Sequence, residues 1–458
     1  MRCYEDSKLS LSRRLFISST AAFAVSGNLF AEAKKSPTVL ALYEKRDGSA
    51  TDTVMVRRIY IDLAGRLPTA EESKAYIRSK ASDKKESLIE KLLNEESFSD
   101  YWSMRFADIL RVKSEFPINL WPNAVYVYHR RIYDFGKNDE GWDSFAKALL
   151  SSRGSNFRNA ESNFYRASAE RTPEGLSKVA SLTFLGNTTD KYAPLFQSVK
   201  FKKTREWKEE IVYREETADG KSPDDFIALL FGSLNRKFAS AFVERVSYWL
   251  FNHTKVNSED IDAFIADGYK LRPIVKRLML SKQYSAGCVT GGFKVRRLDA
   301  EVLDDALCDL TKTKRDFQSI APEPFTFLPP ERKSVLIEDG MITSPFLLLF
   351  GKPARDSGEI GERNNQITAK QRLYLFNSGN IHKRLTIETT GWKKHKKMVL
   401  QNIIRDLYWR YYSRPPLVTE EKGLMARYAA MKNSRDKWRF PADVAWCLLN
   451  SSEFLYQH

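Results

Sequence analysis

A mainly α, multi-helical fold is predicted by three features of the 458-residue sequence. Apolar residues recur three and four apart in many separate segments, strict apolar–polar alternation is rare, and cap-forming residues precede several of the periodic runs. Two helical halves are expected, with an extended Pro-rich segment inside the second half.

Residues 34–53 read as a lead-in, and Val54 to Leu63 as a short apolar-rich element. Pro68 stops that element. Thr69 and Glu72 have capping-box spacing, so a helix is expected over Ala70 to Ser79. Ser87, Leu88, Ile89, Leu92 and Leu93 mark the next. Phe98 to Val112 places Tyr101, Trp102, Phe106, Ile109 and Leu110 at helical spacing, as core residues by their burial preference. Residues 113–125 hold two prolines and look irregular. Helical patterns resume over Tyr126 to Phe135 and Trp142 to Leu150, whereas 151–225 is polar and offers few elements. Ser222-Pro223-Asp224-Asp225 opens a helix that turns Phe226, Leu229 and Leu230 inward. Phe238 to Phe251, Leu271 to Ser281 and Arg296 to Leu310 follow, with Pro273 tolerated in a first turn. Pro322, Pro324, Pro329 and Pro330 make 318–345 an extended crossing segment. Thr368 to Asn377, Lys397 to Tyr412, Thr419 to Lys432 and Pro441 to Asn450 complete the helices. There is no internal repeat.

The N-terminus carries targeting signals. Arg13-Arg14-Leu15-Phe16 precedes a modest apolar run that ends in Ala31-Glu32-Ala33, a small-x-small cleavage site. A charged start, a short apolar region and this ending describe a signal peptide over residues 1–33, and the paired arginines before Phe16 point to the twin-arginine route. The mature chain is expected in the periplasm or outside the cell, with no transmembrane segment once the leader is removed. Two domains are expected within it, 34–215 and 222–458.

The formal charge is +16. In that compartment the available polyanions are sulfated or uronic polysaccharides and other surface polymers, so anionic polysaccharide or a surface or periplasmic protein is the expected partner and nucleic acid is not. Past the leader stand Cys288, Cys308 and Cys447, too few and too widely spaced for a disulfide framework, although one bridge is open to them. Cys-x-x-Cys and Cys-x-x-Cys-His are absent, so no haem attachment is expected. His129, His253, His382, His395 and His458 do not fall at metal-ligand spacing. No cofactor is expected. A P-loop, a Rossmann glycine fingerprint and a Gly-x-Ser-x-Gly elbow are also missing.

Three clusters carry candidate chemistry. Asp299, Glu301 and Asp305 crowd the Arg296 to Leu310 segment. Glu301 and Asp305 stand four apart, with Arg297 four before Glu301, which suits either an acid–base pair or an ion-pair lattice on a helix face. Arg355 follows Gly351 and Pro353 in a loop with Arg363 nearby, a place from which a guanidinium could grip a carboxylate or sulfate in bidentate fashion. Lys393 and Lys394, in Trp392 to Lys397, add an aromatic-flanked basic run.

Several stretches, in order, resemble one family. Arg57 to Thr69 (RRIYIDLAGRLPT) and Phe98 to Arg111 (FSDYWSMRFADILR) resemble a PSCyt-type domain of unknown function of exported planctomycete-type proteins. Leu271 to Tyr284, Arg296 to Glu301 with Asp305-Ala306, Phe350 to Arg355, Gln371 to Ser378, Leu407 to Pro415 and Trp446 to Tyr456 resemble its PSD-type partner domain. The resemblance implies frequent association with a cytochrome-c-like domain and work on complex extracellular polysaccharides. Longer relatives follow a Phe-Leu-Gly block with a Cys-x-x-Cys-His-like element. Here Phe184-Leu185-Gly186 runs into Asn187-Thr188-Thr189-Asp190-Lys191-Tyr192, so the haem role does not carry over. The expected function is a non-redox binding or scaffolding component. The alternative is a polysaccharide-directed hydrolase or lyase using the 296–310 carboxylates, and an electron-transfer protein comes third.

Overall fold

The computed structural model describes residues 42–114, 121–204, 209–320, 327–393 and 399–458. The leader residues Arg13, Arg14, Ala31 and Ala33 lie outside them, as do Lys394 and residues 321–326 of the Pro-rich segment.

Helices dominate. The first group is α1 (Asp52–Ala64), α2 (Ala70–Arg78), α3 (Lys84–Leu93), α4 (Glu96–Ile109), α5 (Pro122–Lys137), α6 (Trp142–Ser151), α7 (Pro173–Leu185), α8 (Pro223–Phe231), α9 (Asn235–Phe251), α10 (Ser258–Ala266) and α11 (Leu271–Leu280). The second is α12 (Ala300–Thr311), α13 (Ala369–Asn377), α14 (Gly379–Lys393), α15 (Leu400–Tyr412), α16 (Val418–Ala430) and α17 (Ser434–Leu449). A small antiparallel sheet of β1 (Gly154–Ser155), β2 (Val199–Lys203) and β3 (Glu210–Arg214) has the order β1-β3-β2. β4 (Arg296–Arg297) pairs antiparallel with β5 (Tyr456–Gln457).

Local chemistry explains most boundaries. The Thr69–Glu72 capping box forms as the spacing predicts. α5 starts at Pro122, inside the stretch that reads as irregular, because a proline needs no intrahelical donor in the first turn. α7, hidden in the polar 151–225 stretch, has its own signals: a Thr172 cap, Pro173 in the first turn and Gly186 in the left-handed conformation beyond the end. α17 begins seven residues before Pro441 and passes through it, with Phe440, Val444 and Ala445 buried on either side.

The Arg296 to Leu310 helix needs correction. Arg296 and Arg297 are strand residues paired with Gln457 and Tyr456. Asp299 is the N-cap, and the helix starts at Ala300. Arg297 therefore does not stand one helical turn before Glu301. Instead Tyr456 and Gln457 capture the segment as a strand.

Two apolar cores result. One gathers buried residues from Tyr43 to Phe293 together with Val302 and Val335, so that α8–α11 share it with the helices before residue 215. Its centre is aromatic: Phe106, Phe135, Trp142, Phe242 and Trp249 stack edge and face. The second gathers Leu298 to Leu455, with Ile61 reaching in from α1. Among the described residues no single helix is long and apolar enough to cross a membrane.

Candidate functional site

The polar groups with the most chemistry lie where the two cores meet. α1 brings charges into the interior: Arg57, Arg58 and Asp62 are all at most 2% exposed. Asp62 accepts from Tyr284 Oη at 2.7 Å and from Gln457 Nε2 at 2.7 Å, and it pairs with Arg296. α4 adds Arg105 and Asp108 to this layer.

The structure brings four of the sequence candidates together. Arg363 donates to Glu301 at 2.6 and 3.1 Å and to Asp108 Oδ2 at 2.8 and 3.1 Å. Arg355 donates to Asp108 Oδ1 at 2.9 Å and to the carbonyls of Val112 and Glu338. Asp299 accepts from Arg105 at 2.7 Å, from Tyr101 Oη at 2.9 Å and from Asn365 Nδ2 at 2.7 Å. Arg355 thus grips a carboxylate in its loop, that of Asp108 in the same chain. Glu301 and Arg355 are each 1% exposed. Burial alone would raise the Asp299 carboxyl, but Arg105 and Arg363 outweigh it and hold it well below the usual range. Burial likewise opposes the charge on Arg363, yet Asp108 and Glu301 keep it firmly cationic.

Arg297 and Asp305 belong to other partners. Arg297 donates to the carbonyls of Leu298, Phe350 and Asn364, tying β4 to the 350–364 loop. Asp305 accepts from Arg315 at 2.7 Å and from the amides of Ser334 and Val335. Burial pushes its carboxyl up to about 7 against the pull of these donors. Glu301 and Asp305 therefore leave α12 toward different cations and do not converge as a reacting pair. Lys393 ends α14, whose last turns have no described side chains. No disulfide joins Cys288, Cys308 and Cys447. Among the described residues no cluster of three or more His, Cys, Asp or Glu is placed to hold a metal ion.

A second site was not read from the sequence. A cleft of about 320 Å³ opens beside the ion network, between one face of α4 (Glu96, Asp100, Ser103), one face of α5 (Tyr126, His129, Tyr133) and the 332–338 segment. Tyr133 Oη donates to Glu96 at 2.7 Å, and Arg332 pairs with Glu338. The second Glu338 oxygen, Oε2, is buried without a partner. Burial raises the carboxyls of Asp100 and Glu338, with Glu96 adding to the effect at Asp100. Burial also pushes the His129 imidazole down to about 3, helped by Arg355 and Arg332, so it is neutral at pH 7. The available signal was the spacing i, i+4, i+7 on α4 and i, i+3, i+7 on α5, which sets polar and amphipathic groups on one face of each helix. The third wall comes from a segment that no periodicity describes.

A depressed His129 has a consequence for stability. The folded state takes up fewer protons than the unfolded chain between about pH 3 and the unperturbed 6.5, so His129 lowers stability as pH falls through that window. Between pH 7 and pH 5 the wild type should lose about 2 kcal/mol more than His129→Gln. Urea unfolding of both proteins at the two pH values checks this, and equal losses would refute it.

Fold and site together define a mainly helical protein with a buried arginine–carboxylate layer and a polar cleft walled by α4 and α5. Residues 42–203, which contain both of these helices, match the family model PSCyt2, described as a protein of unknown function (DUF1549). No curated protein matches the chain, and neither does any solved structure.

Proposed function

We propose that the protein is a non-redox binding or scaffolding component, exported by the twin-arginine route, that holds anionic extracellular polysaccharide or a surface partner on a basic exterior. In this reading residues 222–458 are the PSD-type companion of the matched N-terminal domain. One observation carries the proposal: among the described residues the buried charges nearly balance, so the excess behind the formal +16 rests on the remaining residues. A basic exterior concentrates a polyanion without any dedicated pocket, and salt screens that attraction. The hydrolase or lyase alternative is less favoured, because Asp299, Glu301 and Asp305 are each at most 5% exposed and each is held by an arginine.

The test uses residues 34–458 on immobilised sulfated, uronic and neutral polysaccharides at low and moderate salt, with product release followed in the same wells. Retention on the acidic polymers that fades with salt and releases no product is expected. Release of oligosaccharides would replace binding with catalysis. Failure to bind any acidic polymer would remove the polysaccharide part of the proposal.

A further inference from the structure

The cleft between α4, α5 and the 332–338 segment holds groups that the ion network leaves unused. The Asp100 carboxyl and the His129 imidazole have no hydrogen-bond partner among the described residues, and Glu338 Oε2 is buried without one. The remaining charges are already engaged: Arg332 with Glu338, Arg130 with Asp134, and Glu96 with the Tyr133 hydroxyl. What the cleft offers a ligand is thus mainly acceptors, and its occupant must bring donors. One face of Tyr133 lies under the Arg130 guanidinium, 5.1 Å from the ring centre. Tyr126 has no such cover among the described residues and supplies a flat apolar wall.

We propose that this cleft binds a hydroxyl-rich, non-acidic pyranose unit of a saccharide chain. Ring hydroxyls donate to Asp100, to Glu338 Oε2 and to the unprotonated nitrogen of His129, while the apolar face of the sugar lies on Tyr126. The seven helical steps from Tyr126 to Tyr133 span about 10 Å, the scale of a disaccharide. The volume of about 320 Å³ is at the small end for ligand sites, which also fits one or two rings. A uronate or sulfate is unsuited here, since its charge would face Glu96, Asp100 and Glu338 with the nearby arginines already paired. The proposal rests on the saccharide-binding reading above but assigns recognition to a different surface: the basic exterior holds the polymer through its acidic groups, and the cleft selects a neutral or amino-bearing residue along it.

The experiment is calorimetric titration of residues 34–458 and of Asp100→Asn, Glu338→Gln and Tyr126→Ala with cellotetraose, a chitosan tetramer and tetragalacturonate, at low and high salt. Circular dichroism verifies the fold of each variant. Cellotetraose or the chitosan tetramer should bind in a manner that high salt does not abolish, and Asp100→Asn should weaken it about tenfold or more. Tyr126→Ala, on a partly exposed side chain, should weaken it too and serves as the probe if a carboxyl variant does not fold. Preference for cellotetraose identifies an uncharged unit, and preference for the chitosan tetramer an amino sugar. Lack of binding of both, or equal binding by all variants, would overturn the cleft assignment. Salt-sensitive binding of tetragalacturonate, unchanged in the variants, would in that case still support the basic exterior, so the two readings fail separately.

Discussion

Replacing Arg363 with alanine should destabilise the fold by about 3–5 kcal/mol, the usual result of stripping one partner from a buried ion pair. Arg363 is the cation that Glu301 and Asp108 share. Glu301 is 1% exposed, and among the described residues its hydrogen bonds come only from Arg363. Without the guanidinium the Glu301 carboxylate stays in the interior with no hydrogen-bonded counter-charge, Lys352 and Arg297 acting on it only at longer range. Its remedy is to take up a proton, so the loss should be smaller in acid than at neutral pH. The double variant Arg363→Leu, Glu301→Leu should recover much of the stability, because an apolar pair of similar volume avoids the desolvation of both ions. Denaturant unfolding at pH 7 and pH 5 measures all three effects. A loss below about 1 kcal/mol for Arg363→Ala would mean that the network is solvated and not a buried clamp.

Gly65→Ala should cost about 2–5 kcal/mol, from two sources that add. Gly65 closes α1 with φ +60° and ψ +29°, a left-handed conformation that costs an L side chain about 1–2 kcal/mol. A β-carbon there would also lie 2.4 and 2.7 Å from the Cδ2 and Cγ atoms of Tyr101. That ring is 1% exposed and cannot swing aside, and overpacking of this kind costs about 1–3 kcal/mol. Displacing Tyr101 would further loosen the hydroxyl that donates to Asp299 and accepts from Arg105. The turn in Gly65-Arg66-Leu67-Pro68-Thr69 therefore positions a member of the ion layer across the core. Thermal unfolding of the variant tests the magnitude. A shift no larger than that of an exposed glycine such as Gly220, which also has positive φ but nothing within 4 Å, would show that the contact with Tyr101 is unimportant.

The helical class was legible because the periodic runs are long and several carry their own punctuation. Thr69 with Glu72 caps a helix as its spacing predicts, and Ser222-Pro223-Asp224-Asp225 opens one where a helix is expected. Arg296 to Leu310 reads as one helix because its charged and apolar residues keep helical spacing through Arg296 and Arg297. What overrides that pattern is pairing with Tyr456 and Gln457, an interaction across some 160 residues to which local periodicity is blind. The candidate site was legible as residue types and not as a map. Sequence spacing joins Glu301 to Asp305, and the fold separates them, sending one to Arg363 and the other to Arg315. It brings Asp299, Glu301 and Arg363 together directly, and ties Arg355 to them through Asp108, which with Arg105 lies on a helix that otherwise reads as core. The cleft escaped notice for a related reason. Its α4 and α5 faces are periodic, but the charge that closes it, Glu338, comes from a segment without any period.

The two arginines of α1 set a timetable. Arg57 donates to the carbonyls of Tyr411 and Phe454, and Arg58 donates to that of His458. These acceptors are made 354 to 400 residues after their donors. At 5–20 residues per second a ribosome needs roughly 20–80 s to cover that interval. Throughout it the Arg57 guanidinium lacks the carbonyls that hold it in the folded protein, while Arg58 gains those of Tyr284 and Ala286 part-way and that of His458 only later. The arrival of residues 454–458 is therefore a step that closes the molecule at α1, and a chain stopped short of residue 454 should remain open there, exposed to chaperones and proteases however complete its other helices are.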